Sequence, residues 1–125
     1  MTGNEYQKLA MRTNDGMSAK RLADTMVQTE EKCDLAGLLM GLLGLAGESG
    51  ELTDLFKKWI FHGKELDEDH AKKELGDCCW YIADIAYSMG WELDEIIQMN
   101  VDKLKARYPD GFSTDLSNHR KEGDV

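Results

Sequence analysis

One proline, Pro109, interrupts 125 residues, so long stretches are free to run as helix, because proline is the residue that most sharply ends one. Cysteine is also scarce. Cys33 and the adjacent Cys78 and Cys79 make an odd count without a C-x-x-C pair, which excludes a disulfide framework and a zinc ribbon. Reduced thiols buried as small hydrophobes in a cytoplasmic protein are expected instead. Basic charge is in short supply, with 15 Lys and Arg against 24 Asp and Glu and a net charge of -9. Such a chain has no basic face with which to displace counterions, so nucleic acid is not an expected partner. The opening residues MTGNEYQKLAMR carry no apolar signal core. The uncharged run from Leu35 to Gly47 falls short of the ~20 residues of a membrane span, so no membrane partner is expected.

No convincing strand alternation is present, and the chain reads as all-α: one domain over 1–112, then a polar C-terminal tail over 113–125, disordered or ordered by a partner. Thr2 or Asn4 can cap a first helix carrying Tyr6, Leu9 and Ala10, ending near Thr13–Gly16. Residues 17–32 fit a short helix or a long connection equally. Asp34 is a natural N-cap for a long helix reaching about His62, with Gly63 as its stop. A further helix runs from Asp67 or Glu68 to Met89, with Gly90 beyond its end. Another opens at Asp94 with Ile97, Val101 and Leu104 as its apolar stripe, and Pro109 stops it. These segments predict a helical bundle of about four helices. Leu38 to Leu45 and the run CCWYIADIAYSMGW are apolar nearly all round. Helices of that kind must be buried all round, and four helices in one chain cannot surround two of them, so a homo-oligomer is expected.

Between those apolar stretches sit paired carboxylates. Glu48 and Glu51 are three apart on one helix, and Glu74 and Asp77 repeat the spacing on the next. With the two helices antiparallel, the pairs lie at matched heights on either side of the turn near Gly63. Four convergent anions repel one another and lose hydration, and a hard divalent cation relieves both costs. Mg²⁺ is the natural ion, with Mn²⁺ as its substitute. Isolated acidic pairs are common on solvated helix faces, but pairs at matched heights inside apolar sequence are rarer. A ferritin-like di-iron site would place His in E-x-x-H pairs, and His62 and His70 stand at neither position. The segment GLLGLAGESGE lacks the GK[ST] ending of a phosphate-binding loop. Its mid-helix glycines, Gly41, Gly44, Gly47 and Gly50, are expected to let neighbouring helices approach closely around Glu48 and Glu51.

The order GLAGESGELTDLFKK, KKELGDCCWYIADIA, NVDKLKARYPDGF resembles the MazG-like nucleoside triphosphate pyrophosphohydrolases, over about Leu38 to Phe112. The opening EYQKLAMRT also looks like the N-terminal helix of that superfamily. The resemblance implies Mg²⁺-dependent cleavage of an NTP or dNTP to the monophosphate and pyrophosphate, by a homodimer or a homotetramer built from dimers. It implies that Glu48, Glu51, Glu74 and Asp77 ligate metal; in metal-assisted hydrolysis one of these ligands, Glu48 or Glu51, is then the candidate to accept the proton of the attacking water. It further implies that Asn100, Lys103 and Arg107 face the phosphates. These three share one helix face at i, i+3, i+7, and Arg107 offers a planar fork suited to phosphate oxygens. Lys103 and Arg107 would equally suit a solvated helix C-terminus. Tyr6, Trp59, Trp80 and Tyr81 are candidates for stacking a base, although aromatics at helical spacing more often pack a core. Asp84 lies two turns beyond Asp77, as an outer partner of the site or a plain polar residue. The alternative to an enzyme is a non-catalytic interaction protein that keeps this fold.

Overall fold

The structure is a computed structural model and describes residues 1–124. Its helices begin and end where the caps are. The Thr2 hydroxyl and Glu5 carboxylate form a capping box for α1, Gly3–Ala10, which tightens into a 3₁₀ turn over Met11–Thr13. Helix α2 spans Ser18–Thr29 and settles the undecided segment as helix. Asp34 accepts from the Gly37 N–H at 3.0 Å and opens α3, Leu35–His62. Asp67 accepts from the His70 N–H at 2.9 Å and opens α4, Glu68–Met89. Both long helices close on a left-handed glycine, Gly63 at φ 67° and Gly90 at φ 68°, a conformation that costs glycine nothing. Helix α5 spans Leu93–Arg107, and a short α6, Thr114–Asn118, is capped by Ser113.

Six α-helices rather than about four therefore make up the described residues, and they do not close into a bundle within one chain. Among these residues, α3 and α4 form the one extensively packed pair. They run antiparallel, and glycines set their separation. The Asp34 N–H donates to the Ser88 carbonyl at 2.7 Å, hooking the start of α3 onto the end of α4. Two turns on, a methyl group on Gly41 would lie 2.8 Å from Ile85 Cγ1 and 3.0 Å from Asp84 Oδ2. A further turn on, a methyl on Gly44 would overlap the Tyr81 ring. The expected close approach thus belongs to Gly41 and Gly44, joined by Gly37. Gly47 and Gly50 face open space within the chain, contrary to expectation.

Little else is sealed. The buried apolar side chains are Ala71, Cys78 and Ala86, while Leu43 is 75 % exposed and Tyr87 86 %. Cys78 follows the expectation of a buried thiol, but Cys33 is only half-buried and Cys79 is exposed. The chain exposes 10352 Å², against roughly 6,700 Å² for a compact monomer of its mass. Helix α3 is also long and apolar enough to cross a membrane by length and composition, more than its uncharged run alone had suggested. A helix that must be covered by other helices meets the same description.

Candidate metal centre

The register that pairs Gly44 with Tyr81 carries down the hairpin to the carboxylates. One turn beyond Gly44 is Glu48, and one turn before Tyr81 is Asp77. Ligand oxygens of Glu48, Glu74 and Asp77 lie within 4.8 Å of one another. Glu74 is buried, Glu48 half-buried and Asp77 exposed, so the cluster has a protein floor and an open mouth. Ser49, beside Glu48, has its hydroxyl 3.8 Å from the sulfur of the buried Cys78. Glu51 lies at the height of Glu74 but is exposed and stands outside the converging set. Three of the four expected ligands are thus brought together, with the fourth one turn away.

The electrostatics of the cluster fit a cation. The carboxyl of Glu48 is pushed above the usual glutamate range, first by partial burial, then by the adjoining Glu74 carboxyl and by repulsion from Glu51, Glu74 and Asp77. Glu74 Oε2 is buried without a hydrogen-bond partner, although His70 Nε2 is 2.7 Å from its other oxygen. A buried carboxylate oxygen left unpaired is costly, and an all-oxygen donor set is what hard divalent cations bind.

A linkage follows from the raised Glu48. In cation-free buffer, at a pH between the ordinary glutamate range and the raised value of Glu48, the folded chain holds a proton there that the unfolded chain has lost. That contribution to stability is complete below the ordinary glutamate range and disappears as pH rises through the raised value of Glu48. A divalent cation competes for the same oxygens, so its stabilising effect should grow with pH over that interval. Thermal melts in EDTA and in Mg²⁺, compared from acid to neutral pH, check this; a Mg²⁺ effect independent of pH would place the ion elsewhere.

The other expected site residues are dispersed. Asn100 and Lys103 line a cavity of about 650 Å³ with Trp91, Glu95, Ile96 and Met99, and none of Glu48, Glu51, Glu74 and Asp77 lines it. Arg107 lies in a second cavity, of about 390 Å³, which Lys103 also lines. Its guanidinium donates to both Asp124 oxygens, at 2.6 and 2.5 Å. Residues of the polar tail, expected to be disordered or ordered by a partner, therefore reach back to the end of α5, and Arg107 faces a carboxylate of its own chain. Asp124 is held below the usual carboxylate range by this contact.

The aromatic candidates do not share a pocket. Tyr6 is exposed on α1. Trp59 sits near the α3–α4 turn, edge-on to Phe56 at 6.1 Å. Trp80, edge-on to Tyr81 at 5.0 Å, lies level with about residue 45 of α3, roughly 21 Å along the axis from Trp59 at ~1.5 Å per residue. Tyr81 packs on Gly44 and is a structural residue. Asp84 has a buried Oδ2 without a partner, near Gly41. In the sequence, His70 is weighed only as a di-iron ligand and set aside, and Asp124 is not singled out. His70 had a signal, since it stands four residues before Glu74 and so shares its helix face; Asp124 had none.

Residues 38–112 match the MazG nucleotide pyrophosphohydrolase domain. The chain belongs to the MazG family. The match contains all four carboxylates together with Asn100, Lys103 and Arg107, and leaves α1, α2 and α6 outside. The Gene 37 protein of Mycobacterium phage L5 is 36 % identical over 81 residues, covering 60 % of this chain and 70 % of that protein. No solved structure matches the chain. Membership of a metal-dependent MazG family and a carboxylate cluster at the helix pair agree with each other.

Proposed function

We propose that the chain is a Mg²⁺-dependent nucleotide pyrophosphohydrolase, converting an NTP or dNTP to nucleoside monophosphate and pyrophosphate, with Mn²⁺ as a substitute ion. The observation that carries this is the Glu48–Glu74–Asp77 triplet inside the MazG match. When bound there, a divalent cation supplies charge neutralisation for the phosphates and a template for in-line attack by water. Glu48, Glu74 and Asp77 hold it. Glu51, outside the triplet, keeps a carboxylate free to accept the proton of the attacking water. Asn100 contributes an amide donor and Lys103 a point charge toward the phosphates. Arg107 joins them by exchanging the Asp124 carboxylate for phosphate oxygens, one oxyanion for another.

A homodimer or homotetramer is part of the proposal. The cavity of Asn100 and Lys103 is not lined by the Glu48, Glu51, Glu74 or Asp77 carboxylates, and the surface exposed exceeds that of a compact monomer by about half. Both are relieved if α5 of one chain meets the α3–α4 carboxylates of another. Light scattering should return a multiple of 14.1 kDa. Incubation with Mg²⁺ and a panel of NTPs and dNTPs should yield monophosphate and pyrophosphate by ion-exchange chromatography. Diphosphate with orthophosphate, or no Mg²⁺-dependent turnover, would refute the proposed reaction.

A further inference from the structure

We infer that His70 is a positioning residue for this centre: by holding one oxygen of Glu74 it leaves the other aimed at a divalent cation. The inference rests on the metal site proposed above and adds to it a residue that the paired carboxylate pattern does not contain.

The backbone of His70 is anchored, because its N–H is capped by Asp67 Oδ1 at 2.9 Å in the first turn of α4. From there its side chain reaches one turn along the same face, and Nε2–H donates to Glu74 Oε1 at 2.7 Å. The Glu74 side chain is only 11 % exposed while that of His70 is 50 % exposed. The imidazole therefore stands at the solvent edge and holds a buried carboxylate from outside. The two oxygens of Glu74 are used differently. Oε1 has the imidazole, and Oε2 is buried with no partner, in a residue whose carboxylate converges with those of Glu48 and Asp77.

No nitrogen of His70 belongs to the converging set, so its place is that of a partner to a ligand. Such partners fix the orientation of the ligand, and their loss costs metal affinity even though they never touch the ion. Without the imidazole, the long Glu74 side chain is free to rotate an oxygen toward water. The bound orientation must then be selected from several rotamers each time a cation arrives. An ordinary exposed His–Glu pair at this spacing would instead add only slightly to the stability of the helix and would leave affinity for metal untouched.

The test uses Mn²⁺ alone as the probe, titrated into the full chain by calorimetry and by electron paramagnetic resonance of the free ion. Four chains are compared: wild type, H70L, H70Q and E74Q. H70L should bind Mn²⁺ ~10- to 100-fold more weakly than wild type. H70Q, whose side-chain amide can still donate to Oε1, should remain within about three-fold of wild type, a gap well below the loss of an orienting partner. E74Q should bind most weakly. Cation-free melting curves of wild type, H70L and H70Q should coincide within a few degrees, separating positioning from folding. If H70L does not fold, His70→Ala makes the same comparison. H70L binding as tightly as wild type while E74Q fails would overturn the role of His70 and leave the metal centre standing, and H70Q binding as weakly as H70L would overturn the donor role. A wild-type chain that takes up no Mn²⁺, or no more than E74Q does, overturns the metal centre and this inference with it.

Discussion

Exchanging Glu74 for glutamine is expected to lower cation-dependent pyrophosphate release by on the order of 10³-fold, the equivalent of about 4 kcal/mol of transition-state stabilisation. Glutamine matches glutamate in shape, so the packing beneath the triplet is retained and the His70 N–H can still donate to the amide oxygen. What disappears is the anionic oxygen that is now buried and unpaired. For the same reason the cation-free variant should be at least as stable as wild type, because repulsion with Glu48 and Asp77 is relieved. Its melting temperature should no longer respond to Mg²⁺. Steady-state assays and melts on one preparation check both halves. Turnover within ten-fold of wild type would remove Glu74 from the ligand set.

Gly44→Val is expected to be the most damaging single change to the fold. A β-carbon at Gly44 overlaps three atoms of the Tyr81 ring, and Tyr81 is itself backed edge-on by Trp80. Relief requires either expelling the ring or parting α3 from α4, and the second route also separates Glu48 from Glu74 and Asp77. Overpacking of this kind costs about 3 kcal/mol, slightly offset by the gain in helix propensity over glycine. For a chain of this size that is a loss of roughly 10 °C in melting temperature. Gly47→Ala is the contrasting change. It meets open space within the chain and should gain up to ~1 kcal/mol. Pairing Gly44→Ala with Tyr81→Ala should restore much of the loss seen with Gly44→Ala alone, because the two sites are in contact and do not add.

Both expectations turn on contacts that sequence patterns only partly foresee. Asp34 and Gly63 bracket α3, and Asp67 and Gly90 bracket α4, where local chemistry placed them. Caps act within one turn and are legible one at a time. Helix α2 was not, since Met17 supplies no side-chain cap and nothing in 17–32 distinguishes a helix from a connection. Nor was α6, whose five residues carry too little periodicity to stand out from a polar tail.

The four carboxylates show where local information ends. Counting residues from the turn was enough to put Glu48 level with Asp77 and Glu51 level with Glu74, because translation along an α-helix is a fixed rise per residue. Height does not determine rotation. Glu51 is turned about 60° from Glu48 around α3, and only the packing of Gly41 and Gly44 on α4 decides which of the two faces Glu74 and Asp77. The same holds for Arg107. Its helix face was readable, but its partner Asp124 comes from seventeen residues away through a turn and a short helix. By itself, then, the sequence determined the all-α class, the ends of the two long helices and the level at which the acidic residues meet, since each follows from backbone geometry and short-range capping. Which oxygens converge, which glycines bear contact and which side chains hold Glu74 and Arg107 were decided by tertiary structure, because rotation about a helix axis and the choice of rotamer depend on what the neighbouring helix presents.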